Sequence, residues 1–192
     1  MIGVAASTGG PAALAAVLGA LPAAFPTPIL VVQHVTRGFT AGLAEWLAGQ
    51  TPLRVALAGH GDTPPPGTVL IAPDDYHLQV NARGVVELCK EPPYRGLRPS
   101  ANYLFRALAH AYGPRAVGVM LTGMGDDGVE GLAALHQAGG LTLAQDEQSC
   151  VVYGMPREAR ARHAVDRVLP LDQIAAALGL LVQPERKVRR DE

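Results

Sequence analysis

The sequence predicts an α/β fold, a mainly parallel sheet assembled from βα units, and three observations predict it. Short β-branched runs alternate with longer Ala/Leu-rich segments, the pattern of strands joined by crossover helices. The strand candidates are apolar throughout, as strands covered on both faces must be. Glycine (22 residues) and proline (16 residues) punctuate the alternation and mark where each unit turns.

Taken in order, strands are expected at 3–6, 29–33, 69–72, 116–122 and 141–145, and helices at 11–21, 39–49, 100–112, 127–138, 156–163 and 171–181. Several helices open on Pro, Ser or Asp, which satisfy or dispense with the unpaired N–H groups of a first turn. One segment breaks the rhythm. Residues 77–80 and 85–88 flank Asn81, Ala82, Arg83 and Gly84, the spacing of a β-hairpin with a four-residue turn. The proline-rich stretch 62–67 and the irregular stretch 91–99 read as surface loops of the kind that frame a cleft. Seven of the eight residues 185–192 are charged, which reads as a solvated tail.

With 192 residues, 48% hydrophobic and 17% charged, the chain is long enough for one substantial core, so a single domain is expected over 1–184. Its 16 Lys plus Arg against 17 Asp plus Glu give a net charge of -1, which excludes a sequence-independent grip on a polyphosphate backbone and with it nucleic acid as a partner. Cys89 and Cys150 fit neither a disulfide framework nor zinc-ligand spacing, so a reducing, cytoplasmic setting is expected. No apolar run approaches ~20 residues, and the opening run 1–6 lacks the basic flank of a signal peptide, so no membrane insertion is expected. Asp74, Asp75 and His77 match no standard ligand pattern and read as a polar loop; neither a metal nor a cofactor is expected.

Ligands of open α/β sheets bind beyond the carboxyl ends of the strands. After the first strand come Ser7, Thr8, Gly9 and Gly10, which place a serine on a tight glycine turn beside backbone N–H groups able to hold an oxyanion. His34 follows the second strand. The strand ending at Thr122 is followed by Gly123, Met124, Gly125, Asp126, Asp127 and Gly128. A serine, a histidine and a carboxylate thus reach one rim from three strands. That set suits acyl transfer, because a serine hydroxyl needs a neutral imidazole to take its proton and the imidazole needs an acid to orient it.

Plainer readings stand beside this one. Ser7 and Thr8 are common helix caps, a histidine at a strand end is commonly structural, and Asp126 or Asp127 suits the cap of the next helix. Gly123, Gly125 and Gly128 also spell the dinucleotide-binding pattern G-x-G-x-x-G. Against that reading, Asp126 and Asp127 would direct two carboxylates at a pyrophosphate, a repulsion of about 4 kcal/mol per pair at ~4 Å and an effective dielectric of about 20.

The ordered motifs ASTGG (residues 6–10), QH (33–34) then GFT (38–40), IAP (71–73) with His77, RPS (98–100), LTGMGDDG (121–128), AQDE (144–147) with Ser149, and GMPR (154–157) resemble those of the chemotaxis protein-glutamate methylesterase, or CheB-type, catalytic domain. The resemblance covers nearly the whole chain. It implies a three-layer, doubly wound, mainly parallel sheet with helices on both faces, and a methylesterase domain over 1–184. It implies Ser7 as nucleophile, His34 as general base and acid, and Asp127 as orienting carboxylate. It implies Thr8 and Met124 as residues lining the nucleophile, and Thr8, Gly9, Met124 and Gly125 as the substrate and oxyanion set, with the Met124 N–H as the candidate oxyanion donor. The implied reaction is hydrolysis of glutamate methyl esters, with glutamine deamidation in some members, on the methylated cytoplasmic helices of chemoreceptors. A non-catalytic protein-binding module of the same fold is the alternative.

Two departures matter. Family members commonly carry aspartate where this chain has Asn102, so a neutral amide replaces a carboxylate. They also typically carry an N-terminal receiver domain, whereas Met1 here falls at the first catalytic-domain strand. Either an excised domain or a protein working without that switch, or with a separate receiver domain or regulator, is expected.

Overall fold

A computed structural model describes residues 1–182. The element order is β1 (Ile2–Ala6), α1 (Gly10–Gly19), β2 (Ile29–Gln33), α2 (Thr40–Ala48), β3 (Arg54–Leu57), β4 (Thr68–Ile71), β5 (His77–Val80), β6 (Val86–Cys89), α3 (Ala101–Tyr112), β7 (Val117–Met120), α4 (Val129–Gln137), β8 (Leu141–Gln145), α5 (Met155–Ala161), β9 (Arg167–Leu169) and α6 (Leu171–Leu181). The charged segment 185–192 lies outside the described residues.

Seven strands form a sheet in the order β3-β4-β2-β1-β7-β8-β9, every neighbouring pair parallel. Strand alternation splits the core into two faces. Ile2, Val4 and Ala6 pack with Leu14, Leu18, Leu47 and Leu178 of α1, α2 and α6. Ala5 packs with Phe105, Leu132 and Met155 of α3, α4 and α5 on the other. The result is the expected doubly wound, three-layer arrangement. The chain moves outward one way from β1 through β2 and the other way from β7 through β8, so the loops after β1 and β7 part at the point where such folds leave a crevice.

Two edge strands were not predicted. β3 and β9 each begin on an exposed arginine, Arg54 and Arg167, and are largely exposed, so the all-apolar signature of doubly covered strands is missing from them. Strand β7 is shorter than expected because Thr122 turns its N–H to the Gln145 side chain at 2.8 Å instead of a neighbouring strand. The hairpin of β5 and β6 forms, with Val80 opposite Val86, so its loop holds one residue more than expected. The Asn81 carboxamide oxygen secures that loop by accepting from the N–H groups of Arg83 and Val85. The proline loop frames a cleft of about 210 Å³ with Arg54 and Leu70, on the β3 edge of the sheet.

Candidate active site

The site is built at the carboxyl ends of β1, β2 and β7. Ser7 leaves β1 in a tight turn in which its carbonyl accepts from the Gly10 N–H at 2.8 Å. Gly9 is the N-cap of α1 with φ +80°, a left-handed conformation that costs glycine little, and no side chain caps this helix. Neither Ser7 nor Thr8 is therefore used as a cap. A side chain at Gly123 would put its Cβ within 2.7 Å of the Ser7 Cβ, so only glycine lets the β7 loop lie against the serine.

His34 is set beside Ser7 by the backbone. Its N–H donates to the Ala6 carbonyl at 3.0 Å. The buried Gln33 amide donates to both the Ser7 carbonyl at 2.9 Å and the His34 carbonyl at 2.8 Å, clamping the two strand ends together. The imidazole Nε2 lies 2.8 Å from Asp127 Oδ2. A carboxylate only accepts, so Nε2 carries the proton and Nδ1 is the nitrogen left to receive one. The Ser7 hydroxyl makes no hydrogen bond to His34 among the described residues; contacts of this kind commonly close only when substrate is bound.

Asp127 is 4% exposed and meets four donors. Oδ2 takes His34 and the Ala101 N–H at 2.7 Å; Oδ1 takes the Ser100 hydroxyl at 2.5 Å and the Asn102 amide at 3.0 Å. Burial pushes this carboxyl up, but the hydrogen bonds from His34, Ser100 and Ala101 together outweigh burial and hold it below its ordinary value of 3.8. The Ala101 N–H opens α3, so the positive end of that helix adds to the stabilisation. Neither aspartate caps α4, whose N-cap is Gly128; Asp126 is paired instead with the Arg95 guanidinium. Asp127, which a dinucleotide reading would aim at a pyrophosphate, is turned toward His34 and α3.

The remaining predicted residues surround this centre. The N–H groups of Thr8, Gly9, Met124 and Gly125 have no protein acceptor among the described residues. Met124 is 76% exposed and lines, with Gly125, Tyr153 and Arg157, a cleft of about 440 Å³. Pro11, Val35, Phe39 and Trp46 line an apolar cleft of about 370 Å³. Burial pushes the nearby Cys150 thiol up to about 11, so it stays protonated at neutral pH and does not compete as a thiolate nucleophile. Among the described residues no three His, Cys, Asp or Glu side chains group to hold a metal ion.

The family profile for CheB methylesterase matches residues 2–178. The chain belongs to the CheB methylesterase family. Protein-glutamate methylesterase/protein-glutamine glutaminase 4 of Myxococcus xanthus (strain DK1622) is 51% identical over 178 residues, which cover 93% of this chain and 50% of that protein. Protein-glutamate methylesterase FrzG of Myxococcus xanthus is likewise 51% identical over 93% of this chain and 53% of its own length. The crystal structure of the Thermotoga maritima CheB methylesterase catalytic domain matches with a TM-score of 0.91 at 38% identity, covering 94% of this chain and 97% of that one. The chain spans about half the length of the curated relatives it matches.

In this CheB-family domain several supporting residues escaped the sequence reading. His77 opens β5, as the hairpin expectation has it, but it is no polar loop residue: it is fully buried and stacked on Tyr103 with ring centroids 3.7 Å apart. Its Nδ1 accepts the Ser100 N–H at 3.1 Å and its Nε2 faces the Pro92 carbonyl at 3.2 Å, so it acts as a neutral ring that seats Ser100 under Asp127. Gln33 and Gln145 each end an apolar strand and are buried. A glutamine closing such a run was the available signal, since a buried amide needs partners.

Burial pushes His77 below its ordinary value of 6.5, outweighing the Pro92 carbonyl and Asp127, which raise it, while Arg98 lowers it further. The unfolded chain therefore binds more protons at this site than the folded one. Its contribution to stability is complete above about pH 6.5 and is lost as pH falls from there through the folded value. The urea midpoint is expected to drop between pH 7.5 and 5.5, and to drop less in His77→Gln; an unchanged wild-type midpoint over that window would refute it. Asp127, held below 3.8, behaves as a depressed carboxylate: its contribution is present above the unfolded value and is lost only at lower pH.

Proposed function

We propose that this chain is the catalytic domain of an esterase that hydrolyses glutamate methyl esters on the methylated helices of chemoreceptors and deamidates glutamine at such sites. The observation that carries it is the 2.8 Å hydrogen bond between His34 and a buried, four-donor Asp127, on the same rim as an uncapped Ser7. The two activities joined in the name of the Myxococcus relative differ only in leaving group.

In this reading the Ser7 oxygen attacks the ester carbonyl carbon and its proton passes to His34 Nδ1. The carbonyl oxygen becomes an anion beside the N–H groups of Met124 and the Thr8 turn, which act on charge present only in the transition state. Collapse breaks the bond to the methoxy oxygen, which takes the proton from His34 and leaves as methanol. Water then repeats the sequence on the glutamyl-serine ester and releases glutamate. With a glutamine side chain the leaving group is ammonia. Asp127 keeps Nε2 protonated and stabilises the imidazolium formed at each step.

The test is incubation of the purified chain with methylated chemoreceptor while methanol is followed from pH 5 to 8. Methanol release is expected, with kcat/KM falling toward the acid side because the mechanism requires a neutral base. A flat profile rejects the histidine base. Tight receptor binding with no methanol at any pH favours the binding-module reading.

A further inference from the structure

Asn102 is fully buried, and both ends of its amide are committed. Its Oδ1 accepts the Gly131 N–H at 2.7 Å, which leaves only Nδ2 to face Asp127 Oδ1 at 3.0 Å. Turning the amide over would lose the Gly131 bond and set two oxygens against each other. The partner on the same carboxylate oxygen, Ser100, is a hydroxyl whose proton is free to rotate and which itself accepts from the Asn102 backbone N–H at 3.2 Å. Asn102 therefore supplies Oδ1 with its one directionally locked donor. With Oδ1 pinned, Oδ2 is left pointing at His34.

We infer that Asn102 is a positioning residue for the proposed reaction, a neutral donor that fixes the rotation of Asp127 so that His34 is held in its productive orientation. The inference rests on the acyl-transfer reading above. A carboxyl group at this position can donate only while protonated, whereas the amide donates at every pH.

Asn102→Asp keeps the volume and the oxygen that meets Gly131 but makes the donor titratable. Protonated, the new carboxyl donates to Asp127 as the amide does; ionised, it opposes Asp127 at about the same 3.0 Å separation. Two carboxylates sharing a site cannot both ionise at their ordinary values, and one is strongly raised. The other charged and titratable groups around the pair are His34 from the end of β2, His77 on β5, Arg98 before α3, and the exposed pairs Arg95–Asp126 and Arg106–Glu130.

The experiment measures kcat and KM for methanol release from methylated receptor between pH 5.5 and 8.5 in wild type, Asn102→Asp and Asn102→Ala. In Asn102→Asp the ratio of variant to wild-type kcat is expected to be near one at the acid end and to fall at least about fivefold toward the alkaline end, with KM unchanged. Asn102→Ala is expected to lose about tenfold in kcat at every pH. A ratio for Asn102→Asp that does not vary with pH overturns the inference, because a residue acting only through packing gives that result. A second readout needs no turnover: carbon-13 NMR of labelled aspartate in Asn102→Asp should show one carboxyl titrating about two pH units or more above ordinary aspartate and absent from wild type. If wild type releases no methanol, the esterase reading fails while this carboxyl still titrates high; if the carboxyl titrates at an ordinary value, the positioning role fails on its own.

Discussion

Ser7→Ala is expected to lower kcat for methanol release by about 10⁴- to 10⁶-fold while the fold and its stability stay within about 0.5 kcal/mol of wild type. The two halves of this expectation come from the same feature. The Ser7 carbonyl and N–H carry the turn, accepting from Gly10 and Gln33 and donating to Thr122, and alanine keeps both groups. The hydroxyl holds no helix end, since the N-cap of α1 is the left-handed Gly9. In the proposed reaction, removing it takes away the attacking atom and leaves the clamp at Gln33, the candidate oxyanion N–H groups and the His34–Asp127 pair intact. A residual rate above the uncatalysed reaction is expected from those groups, as in other triads. The measurement is single-turnover methanol release beside a thermal melt. Release at the wild-type rate would show that another group attacks, and Cys150, a protonated thiol, is poorly suited to it.

The fold was legible because its core strands are buried on both faces. β1 is apolar throughout, β2 is apolar up to Gln33, and β8 departs from this only at Thr142 and Gln145; that near-continuity is what a covered parallel strand requires. β3 and β9 sit at the two edges, bury little, and carry no such signal. The convergence of Ser7, His34 and Asp127 on one rim was legible for a related reason: residues that follow central parallel strands must emerge at the same end of the sheet. The shell that holds them was not. Ser100 and Asn102 reach Asp127 from the first turn of α3, and His77 reaches Ser100 from the hairpin, contacts between segments 25–27 and 23 positions apart that no local pattern encodes. Helix-start chemistry made Ser100 a cap in the sequence, and it is one, donating no less to Asp127 for that. The cap expected of Asp126 or Asp127 failed because the left-handed Gly128 opens α4 without a side-chain cap, leaving Asp127 to accept from the first turn of α3.

Asp127→Asn is expected to lower kcat by about 10⁴ with the geometry of the site nearly preserved, and the donor arrangement explains why so small a change costs so much. All four groups around the carboxylate donate: His34 and Ala101 to Oδ2, Ser100 and Asn102 to Oδ1. An asparagine must place its NH₂ on one side. Placed toward Asn102, it meets an amide that cannot turn over, because the Asn102 oxygen is held by the Gly131 N–H. Placed toward His34, it meets the Ala101 N–H, which is fixed in the backbone, and it forces His34 Nε2 to become an acceptor. The imidazole proton then moves to Nδ1, the nitrogen that must be free to take the proton of Ser7. Both placements bury a donor against a donor, so a loss of stability of about 1–3 kcal/mol should accompany the loss of rate. The two effects separate by experiment. Nitrogen-15 NMR of the His34 ring reports the tautomer, and a proton on Nδ1 in Asp127→Asn with Nε2 unprotonated is the expected spectrum. If the variant keeps Nε2 protonated and turns over within tenfold of wild type, Asp127 is a structural anchor of α3 and the orienting role passes to another group.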